Sequence, residues 1–247
     1  MLTKAQIKHL QGLKLKKYRQ NYGDFVIEGE KLVTEALLEN VFPDLIIATP
    51  EWLAQHAGGI PEQVGIAEAG MRDIEKISSL STPQPVMALV KKKETHIRQI
   101  VPHGHWILAL DGIQDPGNLG TMLRTADWFG VQAVVCSNDS VDLYNPKVVQ
   151  STMGAIFRMP VAYTDLDTWF PSLQVPRYAA VLQGEPLENS SFGREGVLVI
   201  GSESHGISSA VLAACDHTVT IAGFGRTESL NAGIAAGILL HSIMHRQ

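Results

Sequence analysis

Five polar residues, Asn118, Arg124, Glu203, Ser229 and Asn231, are the best candidates for chemistry in this chain. They fall in three segments that follow in order as N-x-G-x-x-x-R, G-x-E-x-x-G and S-L-N. Asparagine and serine orient a substrate through neutral hydrogen bonds, a carboxylate accepts several such bonds, and a guanidinium stays protonated at any physiological pH. Such a set points to a polar active site.

All three segments stand where a strand hands over to a helix. The apolar run Trp106 to Leu110 reads as a buried strand, Asp115-Pro116-Gly117 supplies a turn, and Asn118 is a good helix N-cap with Arg124 pointing into the crevice beyond it. The strand Gly196 to Gly201 runs into the turn that carries Glu203. Val219 to Ile221 leads through Ser229, a capping residue, into a helix from Ala232 to His245 with Leu230, Ile234, Ile238 and Leu239 on one side. Ends of parallel strands are where open α/β sheets bind ligands, and helix N-termini there offer free N–H groups. Taken singly, each residue also has a plain structural reading: Asn118, Ser229 and Asn231 as caps, Arg124 and Glu203 in surface ion pairs. Three such segments in one order make coincidence a poor account.

Strand candidates at Trp106 to Leu110, Gln132 to Cys136, Tyr178 to Leu182, Val197 to Ile200 and Val219 to Ile221 alternate with helical segments, which predicts a parallel-sheet α/β domain. Ahead of it, Phe25-Val-Ile-Glu-Gly29, Leu45 to Ala48 and Pro85 to Val90 read as strands and Lys31 to Glu39 as a helix, a smaller α/β unit. The charged stretch around Lys91 to Gln99 suits a connection, which divides the chain into residues 1–95, a linker 96–104 and residues 105–247.

The 247 residues are 45% hydrophobic, enough for real cores without staples. Cys136 and Cys215 lie in apolar runs without C-x-x-C spacing, so buried thiols in a reducing compartment, the cytoplasm, are expected. No segment approaches the roughly 18 uncharged residues of a membrane span. The net charge of −5 argues against nucleic acid, yet Lys4, Lys8, Lys14, Lys16, Lys17 and Arg19 all precede the first acidic residue, Asp24, and Lys91-Lys92-Lys93 forms a second cluster. These clusters read either as solvated faces or as the footprint of a polyanion. Gly112 to Gly117 has P-loop glycine spacing without the lysine and hydroxyl, neither Ser202 nor Ser204 sits in a G-x-S-x-G elbow, and no G-x-G-x-x-G opens a helix. His241 and His245, four apart, lack a third metal ligand and read as partners of the helix's last carbonyls.

With their order and placement, the three segments resemble the motifs of the SpoU (TrmH) class of RNA 2'-O-methyltransferases, in the SPOUT superfamily. The resemblance spans residues 105–247, while Lys16-Lys17-Tyr18-Arg19 through Gly29, with Ser81-Thr-Pro-Gln84, resembles the accessory substrate-binding domain of that family. It implies an α/β-knot methyltransferase domain with a C-terminal trefoil knot, preceded by a small L30e-like RNA-binding domain, and a homodimer. It implies S-adenosylmethionine as cofactor, held by Leu182, Gln183, Gly184, Gly201, Ile221 and Leu230. Asn118, Arg124, Glu203, Ser229 and Asn231 become the catalytic set, with Arg124 on phosphate and oxyanion rather than acting as a base, and Lys14, Lys16, Lys17 and Arg19 hold RNA phosphate. Where the commonest third motif has proline and methionine, this chain has Ala222 and Gly223.

The implied reaction is methyl transfer to the ribose 2'-hydroxyl of a structured RNA, ribosomal RNA ahead of transfer RNA. Rival readings are a non-catalytic RNA-binding protein that keeps the fold and a small-molecule α/β enzyme using another nucleotide cofactor. The intact polar residues oppose the first, and the missing P-loop and dinucleotide fingerprints oppose the second.

Overall fold

A computed structural model describes residues 2–245. Along the chain the elements run α1 (Lys4–Gly12), α2 (Lys16–Tyr22), β1 (Asp24–Glu28), α3 (Glu30–Leu38), β2 (Leu45–Ala48), α4 (Pro50–His56), β3 (Gly65–Glu68), α5 (Met71–Ile77) and β4 (Val86–Lys91). They continue with β5 (Trp106–Asp111), α6 (Pro116–Trp128), β6 (Ala133–Ser137), α7 (Pro146–Thr152), β7 (Val161–Thr164), α8 (Leu166–Trp169), β8 (Arg177–Pro186), β9 (Gly196–Gly201), α9 (Ser209–Ala213), β10 (His217–Thr220) and α10 (Ala232–His245). Two compact units result: Met1–Lys93 with Asp142–Arg158, and Glu94–Val141 with Met159–Gln247.

In the first unit the sheet order is β1-β4-β2-β3, with β4 antiparallel to β1 and β2, and β3 parallel to β2. Leu10, Ile47, Ile74, Ile77 and Met87 close its core between the sheet and helices α1 and α5. The short edge strand β3 has no sequence signal because three of its four residues are exposed. Asp142–Arg158, far along the chain, joins this unit through specific contacts. The Tyr144 ring packs 4.6 Å from that of Phe25, its hydroxyl donates to Lys93 O over 2.6 Å, and Arg158 pairs with Glu35 at 2.8 Å.

Arg19 departs from the role expected of it. Its side chain is 3% exposed, donates to the carbonyls of Leu13 and Lys14, and meets the Asp142 carboxylate at 2.6 Å. A guanidinium committed inside the unit in this way is structural. Lys14 is exposed but donates to Ser78 O over 2.7 Å, while Lys16 and Lys17 stand in solvent.

The second unit is built on a six-stranded, all-parallel sheet in the order β10-β8-β9-β5-β6-β7. Parallel strands covered on both faces read as unbroken apolar runs, and β5, β6 and β9 bury nearly every residue. Sequence patterning placed five of these six strands. It missed β7, whose Val161-Ala-Tyr-Thr164 is too short and mixed to stand out. The β8 strand runs past Leu182 to Pro186, and its pairing with β10 jumps from Thr218 opposite Ala179 to Val219 opposite Glu185. The extra β8 residues therefore bulge from the ladder at the carboxyl end of the sheet.

Candidate active site

Strands β5 and β9 are neighbours, and their register ends with Asp111 opposite Gly201. The loops that leave them therefore start side by side, which brings the first and second motifs together. Buried Asp111 ties them further, accepting from Ser208 N over 2.7 Å. Gly201 has to be glycine because a Cβ there would collide with the backbone of Gly206 and Ile207. Ser202 and Gly206 exchange backbone hydrogen bonds at 2.8 and 3.1 Å, and this tight loop presents Glu203.

The start of α6 differs from the expectation in a useful way. Asp115, not Asn118, is the N-cap: its Oδ1 accepts from Asn118 N over 2.8 Å, and Pro116 takes the first helical position, where its missing N–H costs nothing. Asn118 is thereby free to use its side chain outside the helix. Its Nδ2 donates to Glu203 Oε1 over 3.1 Å, and its Oδ1 accepts from Asn231 Nδ2 over 2.9 Å. Asn231 Nδ2 also donates to Glu203 Oε1 at 2.6 Å, and Ala232 N reaches the same oxygen at 3.2 Å. Asn231, rather than Ser229, caps α10, its Oδ1 accepting from Gly233 N and Ile234 N at 3.0 and 3.3 Å. One carboxylate oxygen thus gathers side chains from all three motifs at the positive end of a helix.

Arg124 and Ser229 stay outside this cluster. Arg124 is exposed on α6, where burial of Leu119, Met122, Leu123 and Ala126 sets the inner face and turns residue 124 outward. Among the described residues, no hydrogen bond or ion pair joins it to Asn118, Glu203, Ser229 or Asn231. Ser229 is exposed on the wall of the adjoining cavity.

That cavity, about 870 Å³, lies between the ends of β8, β9 and β10 and the first turns of α10. Leu182, Gly201, Glu203, Ile221 and Leu230 all line it. Gln183 and Gly184 do not. Gly184 is pressed against β10, where a Cβ would stand 3.1 Å from the Val219 backbone, so close strand packing accounts for that glycine. Phe224, also on the wall and 99% exposed, is absent from the motif residues; its one signal in the sequence is an aromatic set between Gly223 and Gly225.

Other titratable groups stand apart from the site. Burial pushes the Cys136 thiol up to about 12 and the half-buried Cys215 thiol up to about 11, so neither supplies a thiolate nucleophile at neutral pH. Cys215 is less buried than its apolar run suggested. His245 Nδ1 lies 2.9 Å from His241 O and the two rings stack at 4.2 Å. No group of three or more His, Cys, Asp or Glu side chains able to hold a metal occurs among the described residues.

A parallel sheet whose carboxyl-end loops bring three motifs together beside a large cavity defines the class as a parallel α/β domain with a candidate ligand site. The chain belongs to the SpoU rRNA methylase family, whose model matches residues 105–241, and residues 4–88 match the MRM3-like substrate binding domain. It is similar to the 23S rRNA (guanosine(2553)-2'-O)-methyltransferase RlmP of Bacillus subtilis (strain 168), 31% identical over 96% of this chain and 95% of that protein. A TrmH-family structure from Porphyromonas gingivalis superposes with a TM-score of 0.88 at 36% identity, covering 100% of both chains. An AdoMet-bound rRNA methyltransferase from Sinorhizobium meliloti does so with a TM-score of 0.87 at 28% identity, covering 99% of this chain and 96% of that one.

Proposed function

We propose that this chain transfers a methyl group from S-adenosylmethionine to a ribose 2'-hydroxyl of a structured RNA, with ribosomal RNA favoured over transfer RNA. The observation that carries the reading is the meeting of Asn118, Glu203 and Asn231 on one carboxylate oxygen beside the cavity. A cavity of about 870 Å³ is ample for an adenosyl cofactor, and its walls fit one: apolar Leu182, Ile200, Ile221 and Leu230, the main chain of three loops, and a carboxylate, Glu203. When bound, S-adenosylmethionine supplies a methyl group on a positively charged sulfur.

The chain's own residues do the rest. Glu203 holds the Asn118 and Asn231 side chains in one orientation, so that Asn118 can align the ribose. Ser229 completes the wall beside them. Arg124, always charged, contacts the RNA phosphate and stabilises charge developing on the attacking oxygen. Holding both reactants in line supplies a further part of the acceleration. Lys14, Lys16 and Lys17 attract the RNA backbone.

The same reading includes the trefoil knot at the carboxyl end of the second unit, a cytoplasmic setting consistent with two free cysteines, and a homodimer. Support for the homodimer comes from Trp128, 82% exposed on α6, and Ile234 and Ile238, exposed on the adjacent α10. Arg124 lies one turn from Trp128 on the exposed side of α6, so a second copy seated there would receive that guanidinium. Mapping ribose 2'-O-methyl sites in ribosomal and transfer RNA from cells with and without the protein tests the function. One ribosomal site should vanish in its absence; an unchanged map in both RNAs would overturn the reading.

A further inference from the structure

Tyr18 and Tyr22 lie one turn apart on α2 with rings nearly parallel, 8° between planes and 6.2 Å between centroids, and they are 40% and 52% exposed. Both rings are held in place from below. The Tyr18 ring lies over Gly12, where a Cβ would stand 3.5 Å from it. His9 meets Tyr22 edge-on at 4.6 Å, and its Nε2 lies 3.3 Å from the Asp24 carboxylate, which fixes the imidazole. Two pre-positioned aromatic faces therefore look into solvent, with little rotamer freedom left to lose when something stacks on them.

Their surroundings are cationic. No carboxylate precedes Asp24 in the chain, and Lys16 and Lys17 stand exposed in the first turn of α2. The second lysine cluster, remote in sequence, arrives at the other end of the same helix: Lys92 N donates to Gly23 O over 2.8 Å. Lys91 is engaged there, bound to Asp24 at 2.5 Å and near Asp44 at 3.4 Å, and Lys92 sits 5.2 Å over the Tyr144 ring. Lys93 remains exposed, with its backbone N–H held by the Tyr144 hydroxyl at 2.9 Å. Lys16 and Lys17 at the start of α2 and Lys93 beyond its C-cap are thus three exposed ammonium groups on the segments that carry and adjoin the two open rings.

We propose that α2 docks unpaired nucleotides of the RNA substrate, with bases stacking on Tyr18 and Tyr22 and the flanking phosphates, which run around the helix, held by the long side chains of Lys16, Lys17 and Lys93. The inference rests on the reading of the chain as an RNA methyltransferase and names the form of RNA that its first unit grips. Stacking demands a base whose π-face is open, which a single strand, loop or bulge supplies and an A-form duplex hides. The lysines alone would bind either form through its phosphates.

Binding of the full chain to a single-stranded oligoribonucleotide carrying 2-aminopurine, and to a blunt duplex of equal length, tests this. The wild type should prefer the single strand and quench its 2-aminopurine. Y18A/Y22A should lose about tenfold to a hundredfold in single-strand affinity, together with the quench, and keep its duplex affinity. Y18F/Y22F should retain both single-strand properties. K16E/K17E should weaken both RNAs and flatten the salt dependence. Calorimetry with S-adenosylmethionine should give the wild-type affinity in every variant, and urea unfolding followed by circular dichroism should give wild-type transitions, which shows the first unit to be folded in each. Unchanged single-strand affinity in Y18A/Y22A, or an equal loss on the duplex, would overturn the platform. A wild type that binds and quenches the single strand but methylates no RNA would instead sink the methyltransferase reading.

Discussion

Asn231 donates from Nδ2 to Glu203 Oε1 over 2.6 Å while its own Oδ1 caps α10, so the same side chain fixes both the start of the last helix and the carboxylate of the second motif. Replacing Glu203 removes the acceptor shared by Asn118, Asn231 and the Ala232 N–H. Hydrogen bonds to a charged group contribute about 1.5–3 kcal/mol each, so Glu203→Ala should slow methyl transfer by about tenfold to a hundredfold or more. Glu203→Gln brings an NH2 group among donors and should recover only part of that. Single-turnover rates measure both, and wild-type rates in the two variants would remove Glu203 from the site.

Arg124 has a different signature because no side chain among the described residues is joined to it by a hydrogen bond or ion pair. Arg124→Ala should leave stability within about 0.5 kcal/mol, as for an ordinary surface change, and leave cofactor affinity unaltered. Methyl transfer should nonetheless fall by about a hundredfold, the usual loss when a charge-stabilising group is removed. Thermal melting, calorimetry and turnover on one preparation check the three together; near-normal turnover would strip Arg124 of its role.

Arg19, buried, and Asp142, half-buried, form an ion pair within the first unit. Asp142→Ala leaves an uncompensated guanidinium inside, and urea unfolding should show a loss of about 3–5 kcal/mol. Removing both Lys16 and Lys17 should cost almost nothing by the same measure, because both are exposed.

Acid should dissolve a second ion pair. The Arg177 guanidinium, hydrogen-bonded to Asp216 at 2.6 and 2.7 Å, holds that carboxyl below its usual value of 3.8, against a smaller opposing effect of burial. A lowered folded-state value means stability that is present above the unfolded value and lost as pH falls through the folded one. The difference in stability between wild type and Asp216→Asn should therefore be full at pH 7 and close below about pH 4. A gap that failed to narrow as pH falls below about 4 would assign the loss to packing instead.

Much of the candidate site is legible in the sequence. Turn residues and glycines punctuate apolar runs at the right places, so Asn118, Glu203 and Asn231 could be picked out together. Which atom bonds which could not, since that depends on Asp111 lying opposite Gly201 across β5 and β9. The helix start was misplaced because Asp115 and Asn118 are both good caps, and only Pro116 in the first turn decides between them. Arg19 read as phosphate-binding because sequence counts charge without burial, and Asp142 lies 123 residues away. The outward turn of Arg124 follows from the buried face of α6, which its composition blurs by mixing glycine and threonine with leucine.

The most direct test of the whole account is chemical. Ribosomal RNA incubated with the purified protein and methyl-labelled S-adenosylmethionine should yield label in alkali-resistant dinucleotides, because a methylated 2'-oxygen can no longer attack its neighbouring phosphate. The same RNA with a 2'-deoxy nucleotide at the labelled position should take up none. Label released in ordinary mononucleotides, or retained by the deoxy substrate, would place the methyl group on a base and contradict the assignment.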